Sequence, residues 1–164
     1  MKRLILIRHA KSDWSQEGLT DHERGLNMRG KRDVPIMASI LIRKYPTPDI
    51  ILCSDAVRTK ETIEGIIKLG FKYKELTYSH NLYLASIERI KMELSTLPSN
   101  IKTVMLCGHN PGVSEFLTTM CNAGDIRGFP TLGTALMVLN IDEWTDIFNS
   151  TGNRLVRFDY PKKK

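Results

Sequence analysis

Residues 1–12 read MKRLILIRHAKS, a short apolar run that ends in an arginine followed directly by a histidine. Leu4 to Ile7 are consecutive aliphatic residues, a pattern typical of a strand that is buried on both faces of a parallel sheet. Arg8 and His9 therefore stand where this strand ends, with a permanent cation beside an imidazole. Taken alone, His9 is explained as well by a structural role, so the interpretation depends on two later segments.

Strand-like apolar runs alternate with helical patterns along most of the chain. The predicted strand and helix pairs are 3–7 with 30–44, 50–53 with 56–69, 76–79 with 86–97, and 103–107 with 112–121. Two further strands are predicted at 136–141 and 155–158, one or both at a sheet edge, with a short helix or turn at 142–149 between them. This order predicts an α/β fold, a three-layer sandwich in which helices cover both faces of a mostly parallel central sheet.

Prolines and an asparagine predict how two of these helices begin. Pro35 lies within the 30–44 pattern. Because proline loses a helical hydrogen bond and clashes with the preceding turn, that helix is expected to start late or to kink. Asn110 and Pro111 suit the N-cap and the first position of another helix. His109 is then expected just before a helix N-terminus, where the helix dipole favours a bound anion.

Length and charge limit the classes of function. A chain of 164 residues is expected to form one domain spanning residues 1–164. The net charge is +6, but lysines 162–164, expected to form a frayed tail, supply three of those charges. No arginine-rich helix or basic strand interleaved with aromatic residues stands out. Nucleic acid is therefore not an expected partner, and a small anionic group is favoured.

The N-terminal apolar run is too short for a signal peptide or a membrane span, which predicts a cytoplasmic location and no membrane partner. The cysteines at 53, 107 and 121 are an odd number in apolar surroundings and lack metal-ligand spacing. Buried, reduced thiols are the expected state of these cysteines, and no metal site is expected.

Three predicted strands share one design, in which polar residues follow an apolar run. The segments are 4–9, 50–58 and 104–112. Because ligands bind at the carboxyl ends of parallel strands, we expect Arg8, His9, Arg58 and His109 to converge on one crevice. Two arginines suit a phosphoryl group, since guanidinium presents a planar fork of donors to phosphate oxygens, and a neutral imidazole can attack phosphorus.

These three segments resemble the signatures of the histidine phosphatase superfamily, which has the phosphoglycerate-mutase-like fold. Arg8-His9-Ala10 is similar to its Arg-His-Gly signature, SDAVRTKET at 54–62 to its Ser-x-x-x-Arg-x-x-x-Thr segment, and GHNP at 108–111 to its second-histidine segment. The resemblance runs from the first strand to about Leu139. The short length, the RHAKS sequence and DHERGLNMRG at 21–30 are most similar to the small SixA-type phosphohistidine phosphatases.

The resemblance implies a role for each residue. His9 would be the nucleophile that is transiently phosphorylated, while Arg8, Arg58 and His109 would bind and neutralise the phosphoryl oxygens. The rim of the site, or the orientation of the phosphate, would depend on Arg24 and Lys11. It implies no metal and no cofactor.

The implied substrate is phosphohistidine on a protein. One alternative is a phosphomonoesterase acting on small phosphate esters. A second is a non-catalytic, phosphate-dependent binding protein, although binding alone does not need a nucleophile. No long insertion that could cover the pocket follows the third predicted strand or the helix after it, so an open site is expected. An open site admits a side chain of another protein, but it also admits a sugar phosphate or a nucleotide.

The chain departs from the larger members of the superfamily, which place a carboxylic acid shortly after the third strand. Here residues 79–85 read SHNLYLA, without an acid, and Glu88 fits the first turn of the next helix. Imidazole leaves a P–N bond far more readily than an alkoxide leaves phosphorus, so a missing acid fits phosphohistidine. Asp21 is the best remaining carboxylate; its alternative role is to pair with Arg24 and fix the loop.

Three other polar residues have open assignments. His22 and His80 are weaker candidates than Asp21 for donating a proton to the leaving group. Thr62 lies one turn after Arg58 on the same helix face. It either orients Arg58 or bonds back to its own helix.

Overall fold

The computed structural model describes residues 1–122 and 128–161, so lysines 162–164 lie outside the described residues. One sheet of six strands runs through the molecule in the order β3-β2-β4-β1-β5-β6. The strands are β1 Lys2–Arg8, β2 Ile50–Ser54, β3 Glu75–Ser79, β4 Thr103–Gly108, β5 Thr134–Leu139 and β6 Arg154–Asp159.

The first four strands are mutually parallel, as predicted. β1 pairs with β4, β4 with β2 and β2 with β3 in parallel register, whereas β5 runs antiparallel to both β1 and β6. Of the last two strands only β6 is at an edge, because β5 lies between β1 and β6. The central register aligns Arg8 with Gly108 and Cys53 with Cys107, so β1, β2 and β4 end side by side.

Helices cover both faces of the sheet, which confirms the predicted three-layer α/β sandwich. They are α1 Met28–Lys44, α2 Val57–Lys68, α3 Ile87–Ser95 and α4 Gly112–Cys121, with 3₁₀ turns at Asp21–Glu23, His80–Leu82 and Trp144–Asn149. Alternate residues of β1 serve opposite cores. Ile5 and Ile7 pack with α1 and α2, and Leu4 and Leu6 pack with α3 and α4. Among the helices of the described residues, none has the length and apolar character needed to cross a bilayer.

The two predictions about helix starts are confirmed only in part. α1 begins at Met28, because the Asn27 side chain accepts a hydrogen bond from the Gly30 N–H at 2.8 Å, so a late start is wrong; Pro35 lies inside the helix, and a kink there stays a prediction.

His109 does stand just before the N-terminus of α4, where its carbonyl accepts from the Val113 N–H at 3.0 Å. In α4 the N-cap is Pro111 rather than Asn110. The Asn110 amide donates instead to the Phe129 carbonyl, at 2.9 Å, so this side chain joins two loops and does not cap α4.

The first turn of α1 packs directly on the backbone that follows β1. A Cβ atom on Gly30 would overlap the Lys11 carbonyl oxygen, and the Asn27 N–H donates to the same oxygen at 3.0 Å. Only glycine permits this approach, and the contact holds the chain immediately after His9.

We expect Gly30→Ala to lower the free energy of unfolding by about 1–3 kcal/mol, because the methyl group must push the Lys11 backbone away. The matched control is Gly65→Ala in α2, whose Cβ would lie 3.0 Å from a Val34 methyl group that can shift. In this control the mild overlap lowers stability, whereas alanine favours the helix by about 1 kcal/mol over glycine, so we expect little net change in the free energy of unfolding. Urea unfolding followed by circular dichroism measures both variants; equal stability of the two would refute the close contact at Gly30.

Candidate active site

The ends of β1, β2 and β4 bring the predicted residues to one pocket of about 210 Å³. Its described lining consists of Arg8, His9, Lys11, Ser12, Trp14, Arg58, Leu84, His109, Asn110 and Thr131. The rings of His9 and His109 lie 5.2 Å apart between their centroids. Arg8, His9, Arg58 and His109, expected from sequence to converge, are thus neighbours in this pocket.

His9 is held as a neutral, oriented imidazole. Its Nδ1 lies 2.7 Å from the Ala10 carbonyl oxygen, which can only accept, so Nδ1 carries the proton and Nε2 keeps its lone pair. Arg58 Nε donates to that Nε2 at 3.3 Å. Burial is the main cause that lowers the pKa of His9 to about 4; the Ala10 contact opposes it, and the charges of Arg58 and Arg8 add to it. His9 is therefore unprotonated at neutral pH.

His109 is buried at the end of β4, where Ser54 at the end of β2 orients it. Nε2 of His109 lies 2.7 Å from the Ser54 hydroxyl. Because Ser54 Oγ also accepts from the Ala56 N–H, its own hydrogen can point to Nε2, which leaves the ring proton on Nδ1. Burial lowers the pKa of His109 to about 2, and the neighbouring His9 lowers it next. His109 is thus a neutral group that can donate a hydrogen bond.

Two guanidinium groups supply the positive charge of the pocket. Arg8 donates from Nη1 to the Phe129 carbonyl at 3.0 Å, and burial, followed by the charge of Arg58, lowers the pKa of Arg8. Within the described part of the chain, Arg8 Nε and His109 Nδ1 are buried without a hydrogen-bond partner. Buried donors need partners, so this arrangement suits an anion that brings its own oxygens.

Asp21 lies behind Arg58 and fixes its direction. Arg58 donates from Nη1 to the Asp21 carbonyl at 2.8 Å and from Nη2 to the Asp21 carboxylate at 3.0 Å. The Tyr83 hydroxyl donates to the same carboxylate. Hydrogen bonds from Tyr83 and from Arg58 lower the pKa of Asp21, although partial burial opposes them. The alternative that the Asp21 carboxylate pairs with Arg24 is wrong, because Arg58 and Tyr83 are its side-chain partners.

The two residues expected at the rim are placed differently. Lys11 lines the pocket, whereas Arg24 is not among the lining residues. The Arg24 guanidinium stacks 4.3 Å from the centroid of the Trp14 ring and donates to the Gln16 and Leu19 carbonyl oxygens. Because Trp14 lines the pocket, Arg24 supports one wall of the pocket from behind.

Thr62 bonds back to its own helix, as one of the two alternatives expected. Its hydroxyl donates to the Arg58 carbonyl at 2.7 Å and accepts from the Ala10 N–H at 3.0 Å. Thr62 thereby ties α2 to the backbone next to His9, while the direction of the Arg58 guanidinium is set by Asp21.

Ser54 and Tyr83, which orient the side chains of the site, were assigned no role from the sequence. Ser54 stands at the head of the 54–62 segment, directly after a buried strand, which was a usable signal. Tyr83 lies within 79–85, and a tyrosine in a segment without an acid gives no local signal of a partner as distant as Asp21. The other two histidines, His22 and His80, contact Asp55 and do not line the pocket.

Comparison with known proteins identifies the family. The sequence profile of the histidine phosphatase superfamily (branch 1) matches residues 4–82. An uncharacterized chloroplastic protein of Arabidopsis thaliana is 32% identical over 162 residues, which cover 92% of this chain and 72% of that protein. A crystal structure from Agrobacterium tumefaciens that carries the name phosphohistidine phosphatase SixA has a TM-score of 0.80 and 30% identity, with 98% of each chain covered.

A structure of the protein histidine phosphatase SixA in complex with tungstate has the same fold, with a TM-score of 0.78 at 18% identity over 97% of each chain. The Arabidopsis and Agrobacterium proteins are similar over nearly the whole of this chain, well beyond the segment that the profile matches. On sequence and fold together, this chain belongs to the SixA-type group of the histidine phosphatase superfamily and is a phosphatase.

Proposed function

We propose that the protein removes the phosphoryl group from phosphohistidine on other proteins, through a transient phosphohistidine on His9. The observation that carries the proposal is the state of His9: a buried, neutral imidazole whose Nδ1 proton is held by the Ala10 carbonyl and whose Nε2 faces Arg58, with the charge of Arg8 also nearby. A phosphate-binding protein without turnover has no need of such a group.

The reaction consists of two displacements at phosphorus. In the first, the lone pair of His9 Nε2 forms a P–N bond while the P–N bond of the substrate breaks, and the departing imidazole takes a proton from solvent. In the second, water attacks the phosphorus of phospho-His9, inorganic phosphate leaves and the Nε2 lone pair is restored. In both steps Arg8, Arg58 and the Nδ1–H of His109 bind the phosphoryl oxygens, over which negative charge spreads.

Permanent charge on the protein supports a reaction that needs no metal. A guanidinium group keeps its proton at any working pH, so Arg8 and Arg58 supply positive charge where a Lewis acid would otherwise be needed. The pocket residues are basic, neutral or apolar, with no carboxylate among the described lining side chains. The charged oxygen ligands on which a hard cation such as Mg²⁺ depends are thus missing from this described lining.

The same lining supports imidazole as the leaving group. The Asp21 carboxylate is engaged by Arg58 and Tyr83 and lies outside the lining, so a carboxylic acid that could protonate an alkoxide is missing from the described pocket residues. An alkoxide depends on such an acid, whereas a departing imidazole can take its proton from solvent on its second ring nitrogen. The name of the Agrobacterium relative supports the same substrate class. Small phosphate esters are the second candidate, and the leaving-group series below separates the two.

The first test removes the nucleophile. We expect His9→Ala to lose turnover of a phosphohistidine peptide by several powers of ten, equivalent to about 4–8 kcal/mol of transition-state stabilisation, with an unchanged fold. His80→Gln is the matched control, because His80 is exposed and lies outside the pocket, and it should retain wild-type rates. Steady-state phosphate release measures both. More than about a tenth of wild-type activity in His9→Ala would show that another group attacks phosphorus.

The second test reads the protonation state of His9 by NMR. Since burial holds the pKa of His9 at about 4, the imidazole takes up a proton only as the pH falls through that value, not near the ordinary value of about 6.5. We expect the His9 ring resonances to stay constant between about pH 7 and pH 5. Comparison with spectra of His9→Gln assigns the signal. A titration midpoint near pH 6.5 would contradict the neutral nucleophile.

The third test varies the leaving group. Without a general acid, phosphohistidine and aryl phosphates should be hydrolysed well, while phosphoserine peptides and sugar phosphates should be slower by a factor of about 100 or more in kcat/KM. Equal rates on alkyl phosphates and phosphohistidine would contradict the proposed substrate class.

Asp21→Asn completes this series. If Asp21 only orients Arg58, the variant should lower kcat/KM by roughly 10- to 100-fold for every substrate alike. A selective loss on alkyl phosphates, with aryl phosphates spared, would instead identify Asp21 as a general acid.

A further inference from the structure

A cluster of three potential metal ligands lies next to the phosphate pocket. His22 belongs to the 3₁₀ turn Asp21–Glu23, Asp55 follows β2, and His80 begins the 3₁₀ turn His80–Leu82. Asp55 Oδ1 is 2.7 Å from His22 Nε2, and Asp55 Oδ2 is 3.0 Å from His80 Nδ1. All three ligand atoms lie within 4.8 Å of one another, and no other group of histidine, cysteine and acidic residues does so in the described chain.

The donor set and its spacing fit a transition metal. Two imidazoles and one carboxylate are ligands that Zn²⁺ binds at about 2.0–2.2 Å, which in a tetrahedron separates ligand atoms by about 3.4 Å. The two separations to Asp55 are shorter than this by less than an ångström, so a small outward movement would admit an ion. His80 is 72% exposed in its side chain, which leaves a direction open to solvent for a fourth ligand. A hard cation such as Mg²⁺ prefers oxygen ligands and does not match this set.

The cluster is built onto the parts of the site that orient Arg58. His22 directly follows Asp21, and Tyr83 directly follows the turn that holds His80. The Tyr83 ring packs edge-on against His22 at 4.8 Å between centroids, and its hydroxyl bonds to Asp21. Asp55 lies at the start of the segment that leads into α2 and Arg58. An ion bound here would link the two segments that carry Asp21 and Tyr83 to the base of α2.

We propose that His22, Asp55 and His80 form a binding site for one divalent transition-metal ion of the zinc type, separate from the phosphate pocket. Metal binding at this site does not depend on the phosphatase reaction, and the ion takes no part in phosphoryl transfer. Its effect is structural: it ties together the turn at Asp21–Glu23, the turn at His80–Leu82 and the start of α2.

Metal binding can be measured without substrate. Untagged protein is treated with EDTA, desalted and titrated with Co²⁺, whose visible absorption reports an imidazole and carboxylate environment, and with Zn²⁺ in a calorimeter. We expect one equivalent of each ion to bind, Mg²⁺ to give no heat, and Zn²⁺ to raise the midpoint of thermal unfolding. His80→Gln and Asp55→Asn should each weaken Zn²⁺ binding by at least about tenfold.

His9→Gln is the matched control, because it removes an imidazole from the phosphate pocket and leaves the cluster intact. It should bind Zn²⁺ as tightly as wild type, while His80→Gln in EDTA should keep wild-type phosphatase activity. Because the His80 side chain is exposed, its replacement removes no buried contact, and circular dichroism checks that the fold is retained. Unweakened binding in both His80→Gln and Asp55→Asn, or loss of binding in His9→Gln, would overturn the site whatever the substrate proves to be.

Discussion

The parallel register of β1, β4 and β2 is the constraint on which the site depends. These strands are buried on both faces, and their alternating side chains belong to two separate cores. A slip of one residue would move every aliphatic side chain to the opposite core, so packing allows one register only. That register aligns Arg8 with Gly108 and Cys53 with Cys107. The residues that follow, His9, Ser54 and His109, are brought together as a consequence.

Burial at this edge also determines the charges of the site. Removal from water disfavours the protonated form of an imidazole, and two adjacent guanidinium groups add to the effect for His9. Burial also lowers the pKa of Arg8, but the pKa of a guanidinium group is so high that it keeps its proton. The same environment therefore keeps the histidines neutral and the arginines charged. Those are the states that an attacking nitrogen and the binding of phosphoryl oxygens respectively require.

The segment after β3, in which the sequence has no acid, positions a tyrosine against the site. Tyr83 in that segment gives its hydroxyl to Asp21, and the Asp21 carboxylate orients Arg58. The tyrosine ring also packs against His109 and His22, at 5.4 Å and 4.8 Å between centroids. In the proposed mechanism this part of the fold orients Arg58 for phosphate binding and does not protonate a leaving group. The proposed metal site lies next to these residues, because His22 follows Asp21 in the chain and packs against the Tyr83 ring.

The sequence by itself determined the order of strands and helices, the mostly parallel sheet with helices on both faces, and the convergence of Arg8, His9, Arg58 and His109. These follow from local patterns, since apolar runs mark buried strands and parallel strand ends share one edge. Only the tertiary structure decided which partner each polar side chain takes. Asp21 pairs with Arg58 and not with Arg24, Asn110 bonds to Phe129 and does not cap α4, and His22, Asp55 and His80 meet from distant positions. Such pairings depend on the distances that loops adopt once the sheet has folded, and the spacing of residues along the chain carries no record of them.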